Sequence, residues 1–169
     1  MNLLSLDAST KSTGIAVFQE DQLIYYECIT SSSTDVIKRI NIMKDGIKKI
    51  IQKYNINKII IEEVRPEGGS GVGNQKTHKA LMFLQAAIAF LAHDDFNNLP
   101  IEYIYPSSWR AKLGIKNGRG IKRTSLKEAD IEYVKNKYNI EVNDDIADAI
   151  CIGLSYFIPE KNNDLNWGE

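Results

Sequence analysis

An excess of charge of either sign is missing from this chain: across 169 residues, 21 Lys and Arg face 22 Asp and Glu, a formal net charge of −1. The field of the whole molecule therefore cannot gather a polyanion, and any nucleic-acid surface has to be local. Cysteine is scarce as well. Cys28 and Cys151 each lie within an apolar run, far apart in sequence, which excludes a disulfide framework and fits buried free thiols of a reducing compartment. The two histidines, His78 and His93, have no cysteine or second histidine at ligand spacing, so they read as surface or packing residues rather than a zinc site. No apolar run approaches the roughly 20 residues of a membrane span, and the N-terminal residues lack a basic n-region. A chain that is neither secreted nor membrane-spanning is expected, hence a cytoplasmic one. There is no repeat and no low-complexity block. With 43% hydrophobic and 25% charged residues, the composition is that of one ordinary domain, expected over residues 1–158 with a short tail at 159–169.

What is present is an ordered alternation of patterns. Residues 3–8, 14–18 and 23–29 are short β-branched or aromatic runs separated by turn residues, the pattern of a three-stranded meander. Val36, Ile40, Met43, Ile47, Ile50 and Tyr54 then recur at steps of four and three, drawing an apolar helix stripe that Thr34 or Asp35 can cap. Lys58 to Val64 carries Ile59-Ile60-Ile61 without interruption, as suits a strand covered on both faces. A glycine-rich loop over residues 66–73 precedes a second helix marked by Leu81, Leu84, Ile88 and Leu91. A strand follows at 101–105, then a short helix opened by Pro106, a break at 117–120, and helices at 124–138 and about 144–157. Antiparallel strands followed by βα units predict an α/β fold in which a parallel sheet carries an antiparallel meander at one side.

Acids fall where such a sheet gathers its ligands. Asp7 ends the first strand, Glu62 and Glu63 end the fourth, and Asp144, Asp145 and Asp148 open the last helix. Asp144 and Asp145 each stand three or four positions before Asp148, so either pair can point one way. Carboxylates at the margin of a core repel one another and lose hydration unless something neutralises them. A divalent cation does so, and carboxylate oxygen with water suits Mg²⁺ or Mn²⁺. Two such ions about 3.5–4 Å apart can cleave a phosphodiester without histidine or lysine. The plainer reading is that acids at helix starts cap the helix and complement its dipole, which is all that Asn143 and Asp144 need do.

These residues resemble a known family. Leu4-Ser5-Leu6-Asp7-Ala8-Ser9 with Gly14-Ile15-Ala16, then Ile60-Ile61-Glu62-Glu63-Val64, then Asp145-Ile146-Ala147-Asp148-Ala149-Ile150, are similar to the three acidic motifs of RuvC-type Holliday junction resolvases. Tyr105-Pro106-Ser107-Ser108-Trp109-Arg110 and the stretch from Asn143 to Ala149 are most similar to the small phage-encoded branch. The resemblance implies a ribonuclease H-like α/β fold, a mixed five-stranded sheet flanked by helices. It also implies a homodimer and Mg²⁺-dependent paired nicking of four-way DNA junctions to leave 5′-phosphate and 3′-hydroxyl ends. Asp7, Glu62, Asp145 and Asp148 would hold the two ions, with Asp7 between them, and Glu63 and Asp144 rank second. If the chain is phage-encoded, its compartment is the host-cell cytoplasm. Bacterial members carry an aromatic wedge three positions after the strand-end Glu. Here that position is Arg65, which points to tolerance of other branches, such as three-way junctions and forks.

Between Trp109 and Lys127 stand Arg110, Lys112, Lys116, Arg119, Lys122, Arg123 and Lys127 with no acid among them, a concentrated basic segment in a neutral chain. Its glycines allow close approach to phosphates, as expected of a protein that reads branched shape. Arg65 joins these DNA-binding candidates, and Lys76, Lys79 and the 68–73 loop are weaker ones. Asp7 to Gly14 also resembles the phosphate loop of actin-like ATPases. Those enzymes hold nucleotide between two domains, and a single domain argues against any nucleotide cofactor. Ser9, Thr10 and Thr13 are better suited to closing the turn. The eight tyrosines read mostly as packing. Ala80, Phe83, Ala87 and Phe90 make the second helix apolar on more than one side, which suits either a dimer contact or burial on the sheet. Two rivals to the resolvase stay open: an RNA-processing nuclease of the YqgF type and a non-catalytic branched-DNA-binding module.

Overall fold

In a computed structural model, residues 1–64, 72–118 and 120–159 are described, with the side chains of residues 72–74 excepted. Strands β1 (Asn2–Asp7), β2 (Ser12–Gln19) and β3 (Gln22–Thr30) form the expected meander. Helix α1 (Val36–Tyr54) starts on Asp35, whose carboxylate accepts from the Ile37 N–H at 2.8 Å and the Lys38 N–H at 3.1 Å. It ends on Asn55 in the left-handed region, φ 48°, a conformation asparagine tolerates better than most residues. Strand β4 (Lys58–Glu62), helix α2 (Val72–Phe90) with a π-helical extension (Leu91–Asp95), and strand β5 (Ile101–Ile104) follow. Helices α3 (Pro106–Lys112), α4 (Arg123–Tyr138) and α5 (Asp144–Tyr156) complete the fold. Helix α2 starts at Val72, inside the stretch that composition marks as a loop.

The five strands are ordered β3-β2-β1-β4-β5. The β3-β2-β1 pairs are antiparallel, whereas β1-β4 and β4-β5 are parallel, so the meander occupies one side of a mixed sheet. Strand periodicity sends alternate residues to two cores. Leu4, Leu6, Ile15, Val17, Ile59 and Ile61 face α1 and α2, while Leu3, Ala16, Phe18 and Ile60 face α3, α4 and α5. This is why the Ile59-Ile60-Ile61 run has no polar residue: both faces of β4 are covered.

Helix α5 lies directly on β1 and β2 because two glycines leave no side chain in the way. A Cβ on Gly153 would stand 2.3 Å from the Phe18 ring, and one on Gly14 would stand 1.8 Å from the Asp145 carbonyl oxygen. Ser5, fully buried in β1, donates to the Ala149 carbonyl at 2.7 Å and ties the helix to the strand. Both cysteines are free thiols, Cys151 buried and Cys28 half-buried. Tyr26, Tyr103 and Tyr105 depart from the packing assignment and are exposed on the sheet and its edges. The 66–71 part of the expected loop, Arg65, Arg119 and the expected tail from residue 160 onward lie outside the described residues.

Candidate active site

Leu6 and Ile61 are register partners in the parallel β1-β4 pair, so the next residues, Asp7 and Glu62, end neighbouring strands at the same sheet edge. Asn143 caps α5 by accepting from the Ile146 N–H at 2.9 Å, which brings the first turn of the helix over that edge. A cavity of about 610 Å³ opens there, and Asp7, Glu62, Glu63, Asp145 and Asp148 all line it. Three distant stretches of sequence thus deliver five acids to one cleft.

The electrostatics record the crowding. Burial, with Glu62 and Asp145 as negative neighbours, raises the Asp7 carboxyl to about 8. Burial, with Asp7 and Asp130 nearby, raises Asp148 to about 9. Burial also raises Glu62, opposed by a hydrogen bond from the Trp109 indole to Glu62 Oε2 at 2.9 Å. Asp144 behaves differently. Lys127 bonds its carboxylate and holds it below the usual range, and Asp144 does not line the cavity. The adjacent acids that sequence left unresolved therefore occupy separate settings: Asp144 pairs with a lysine, and Asp145 faces the cleft.

A shell of residues holds these acids. Ser12 Oγ donates to Asp145 Oδ2, and Cys28 Sγ lies 3.1 Å from Ser12 Oγ and 3.9 Å from that carboxylate oxygen. Arg110 meets Asp130 through two nitrogens, Nε at 3.0 Å and Nη2 at 2.7 Å from Oδ2, and its Nη2 reaches to 3.9 Å from Asp148 Oδ1. Arg110 is 7% exposed and Asp130 0%, so the pair is buried, with Arg110 in the cleft wall. Arg110 thus differs from the exposed basic candidates: it lines the cleft with its guanidinium engaged by Asp130. Of the other basic candidates, Lys116, Lys122 and Arg123 are exposed, Lys112 and Lys127 half-buried, and Arg123 and Lys127 line the cleft.

Among the described residues no three His, Cys, Asp or Glu side chains converge as a ready ligand set. Asp145 is bonded by Ser12 and Glu62 by Trp109. The donor chemistry nevertheless fits a hard divalent cation, since the cleft offers carboxylate oxygens and Asp148 Oδ1 is buried without a hydrogen-bond partner.

Several residues of the site escaped the sequence reading. Asp130 was legible in principle, as an acid on the stripe of Leu126 and Val134 where an apolar residue belongs. Trp109, Ser12 and Cys28 carry no such mark, because their roles arise from tertiary neighbours. His78 does not behave as a packing residue: it lines the cleft, and its Nδ1 is buried without a partner. His93 is exposed, as expected, and contacts Asp94. The turn after β1 matches the reading, with Thr13 Oγ1 donating to the Ser9 carbonyl at 2.6 Å and accepting from the Ser9 N–H at 3.2 Å.

The sheet order and mixed strand senses give this chain the fold of solved RuvC structures. The structure of Thermus thermophilus RuvC in complex with a Holliday junction substrate matches with a TM-score of 0.71 at 14% identity, over 92% of this chain and 91% of that one. Thermus thermophilus RuvC in a second structure gives 0.68 at 14% identity, over 92% of each chain. The yeast mitochondrial Holliday junction resolvase Ydc2 gives 0.59 at 15% identity, over 92% of this chain and 77% of that one. Residues 1–158 match the DUF3882 family, described as Lactococcus phage M3 protein, and the chain belongs to that family. No curated protein sequence matches it. Among the described residues no helix is long and apolar enough to cross a membrane.

Proposed function

We propose that this chain is a structure-selective DNA endonuclease that resolves Holliday junctions, and related branches such as three-way junctions and forks, by paired nicks leaving 5′-phosphate and 3′-hydroxyl ends. The observation that carries the reading is the convergence of Asp7, Glu62, Asp145 and Asp148 on one cleft of a RuvC-type fold, with Asp148 Oδ1 buried and unbonded. These four acids would hold two Mg²⁺ ions, for which Mn²⁺ can substitute. Bound there, the cations would supply Lewis-acid stabilisation of the phosphodiester and a nucleophilic water.

The chain's own residues supply placement. Asp7 and Glu62 are fixed by the register of β1 and β4, and Asp145 and Asp148 by the seating of α5 on Gly14. On α3, Trp109 holds Glu62 and Arg110 stands beside Asp148. Glu63 faces the cleft as a reserve acid, and Asp144 restrains Lys127 at its mouth. Lys112, Lys116, Lys122, Arg123 and Lys127 would grip the DNA arms through phosphates. Met82, Phe83 and Phe90 are exposed along α2, Phe90 to 67%, and this apolar face is the proposed homodimer contact that sets two clefts on one junction.

The test is cleavage of end-labelled four-way, three-way and forked DNA beside linear duplex and structured RNA, in Mg²⁺ and in Ca²⁺, with Asp7→Asn as control. Symmetric nicks in branched DNA, present only with Mg²⁺ and absent from the variant, are expected. Tight branch binding without any cut would make the chain a binding module, and cutting confined to RNA would make it a YqgF-like nuclease.

A further inference from the structure

Two buried side-chain atoms among the described residues have no hydrogen-bond partner, Asp148 Oδ1 and His78 Nδ1. Both residues line the same cleft. The first belongs to the acidic set, and the second stands outside it. A buried ring nitrogen left unbonded destabilises the free protein, and such a cost persists where a ligand completes the bond. Of the cations that line the cleft, Arg110 is paired with Asp130 and Lys127 with Asp144, whereas Arg123 is exposed. His78 is the one imidazole in the wall, and Leu81, one turn further along α2, lines the cleft beside it.

We propose that His78 is a substrate-contacting catalytic residue: seating of the DNA uncovers Nδ1, which the free protein keeps from solvent, and its N–H then donates a hydrogen bond to an oxygen of the phosphodiester that the acids act on. The inference rests on the nuclease reading and assigns one further residue to that same site. A phosphate oxygen only accepts, so the ring must carry its proton on Nδ1. The occupant is phosphate and not the cation, because an all-carboxylate site for a hard ion gains little from an imidazole nitrogen.

Four readouts on wild type, His78→Ala and His78→Asn test this. They are single-turnover cleavage of a four-way junction in Mg²⁺, junction affinity in Ca²⁺, Mn²⁺ binding followed by its paramagnetic resonance spectrum, and melting temperature. His78→Ala should slow cleavage about 10- to 150-fold, the worth of one hydrogen bond to a charged group. Its Mn²⁺ affinity should not change, and its melting temperature should hold or rise by up to about 3 °C, because an unsatisfied group has gone. Asn places an amide N–H close to where Nδ1 stands and should restore cleavage to within about 5-fold of wild type. Wild-type rates in the alanine variant would overturn the assignment, as would an asparagine variant equally slow. Nitrogen coupling to bound Mn²⁺ that vanishes with His78 would make it a ligand, and a fall in melting temperature matching the fall in rate would make it structural. A wild-type protein that cuts no branched DNA would remove the nuclease reading, and this inference with it.

Discussion

Replacing Asp130 should damage the molecule more than replacing any exposed acid, and the structure sets the size of the effect. The carboxylate is fully buried and receives two guanidinium nitrogens of Arg110, at 3.0 and 2.7 Å from one oxygen. Taking one partner from such a pair leaves a buried charge uncompensated, at a cost of about 3–5 kcal/mol. For a domain of this length, each kcal/mol moves the melting temperature by roughly 2–4 °C, so Asp130→Ala should melt about 6–20 °C lower. A second effect is local. Arg110 Nη2 already lies 3.9 Å from Asp148 Oδ1, and without Asp130 the guanidinium turns to Asp148 and occupies the oxygen needed in the cleft. Asp130→Ala should therefore lose divalent-ion affinity at temperatures where it remains folded. The Arg110→Met, Asp130→Leu double variant removes both charges and should recover at least half of the lost stability. Urea unfolding of the two single variants and the double, with Mn²⁺ titration of each, measures this. A loss below about 1 kcal/mol in Asp130→Ala would refute the reasoning, because a surface-like pair is worth no more than that.

Three further outcomes follow from the same geometry. The Asp7 carboxyl is raised from 3.8 to about 8 and Asp148 to about 9, so their neutral forms favour the metal-free fold fully below about pH 3.8 and that contribution is lost as pH rises through 8 and 9. Asp7→Asn should match wild type in melting temperature near pH 4 and exceed it increasingly towards pH 8, and Mg²⁺ should erase the difference; a constant gap would contradict the assigned burial. Gly14→Ala puts a methyl 1.8 Å from the Asp145 carbonyl, so it should cost about 1–3 kcal/mol by thermal unfolding and shift α5 enough to abolish cleavage. Phe83→Glu with Phe90→Glu should yield a folded monomer by light scattering that nicks junctions singly; an unchanged oligomeric state would move the dimer contact elsewhere.

The fold was legible because local pattern and tertiary environment agree over most of the chain. The 3.6-residue stripe from Val36 to Tyr54 coincides with α1, and the unbroken Ile59-Ile60-Ile61 marks a strand with a core on each side. The acids of the cleft were legible for a related reason: Asp7 and Glu62 interrupt apolar strands at their ends, where burial leaves few other uses for a carboxylate. Arg110 shows where this reasoning stops. Seven cations without an intervening acid look like a surface patch, but the acid that neutralises Arg110 comes from α4, twenty residues on in the sequence. His78 was unreadable for a similar reason, since only the placing of α2 beside the strand ends brings it to the cleft with a buried, unpartnered ring nitrogen.

The distribution of the acids along the chain has a consequence for synthesis. Asp7 and Glu62 lie in the first half, whereas Asp145 and Asp148 arrive only with α5, after every strand has been made. A growing chain released from the ribosome only as far as α4 carries an incomplete acidic cleft and an unfilled core face, because Ala147, Ile150, Cys151 and Leu154 are absent. The same helix that completes the hydrophobic interior completes the chemistry. Copies that end before α5 therefore lack two of the four acids and one side of that core.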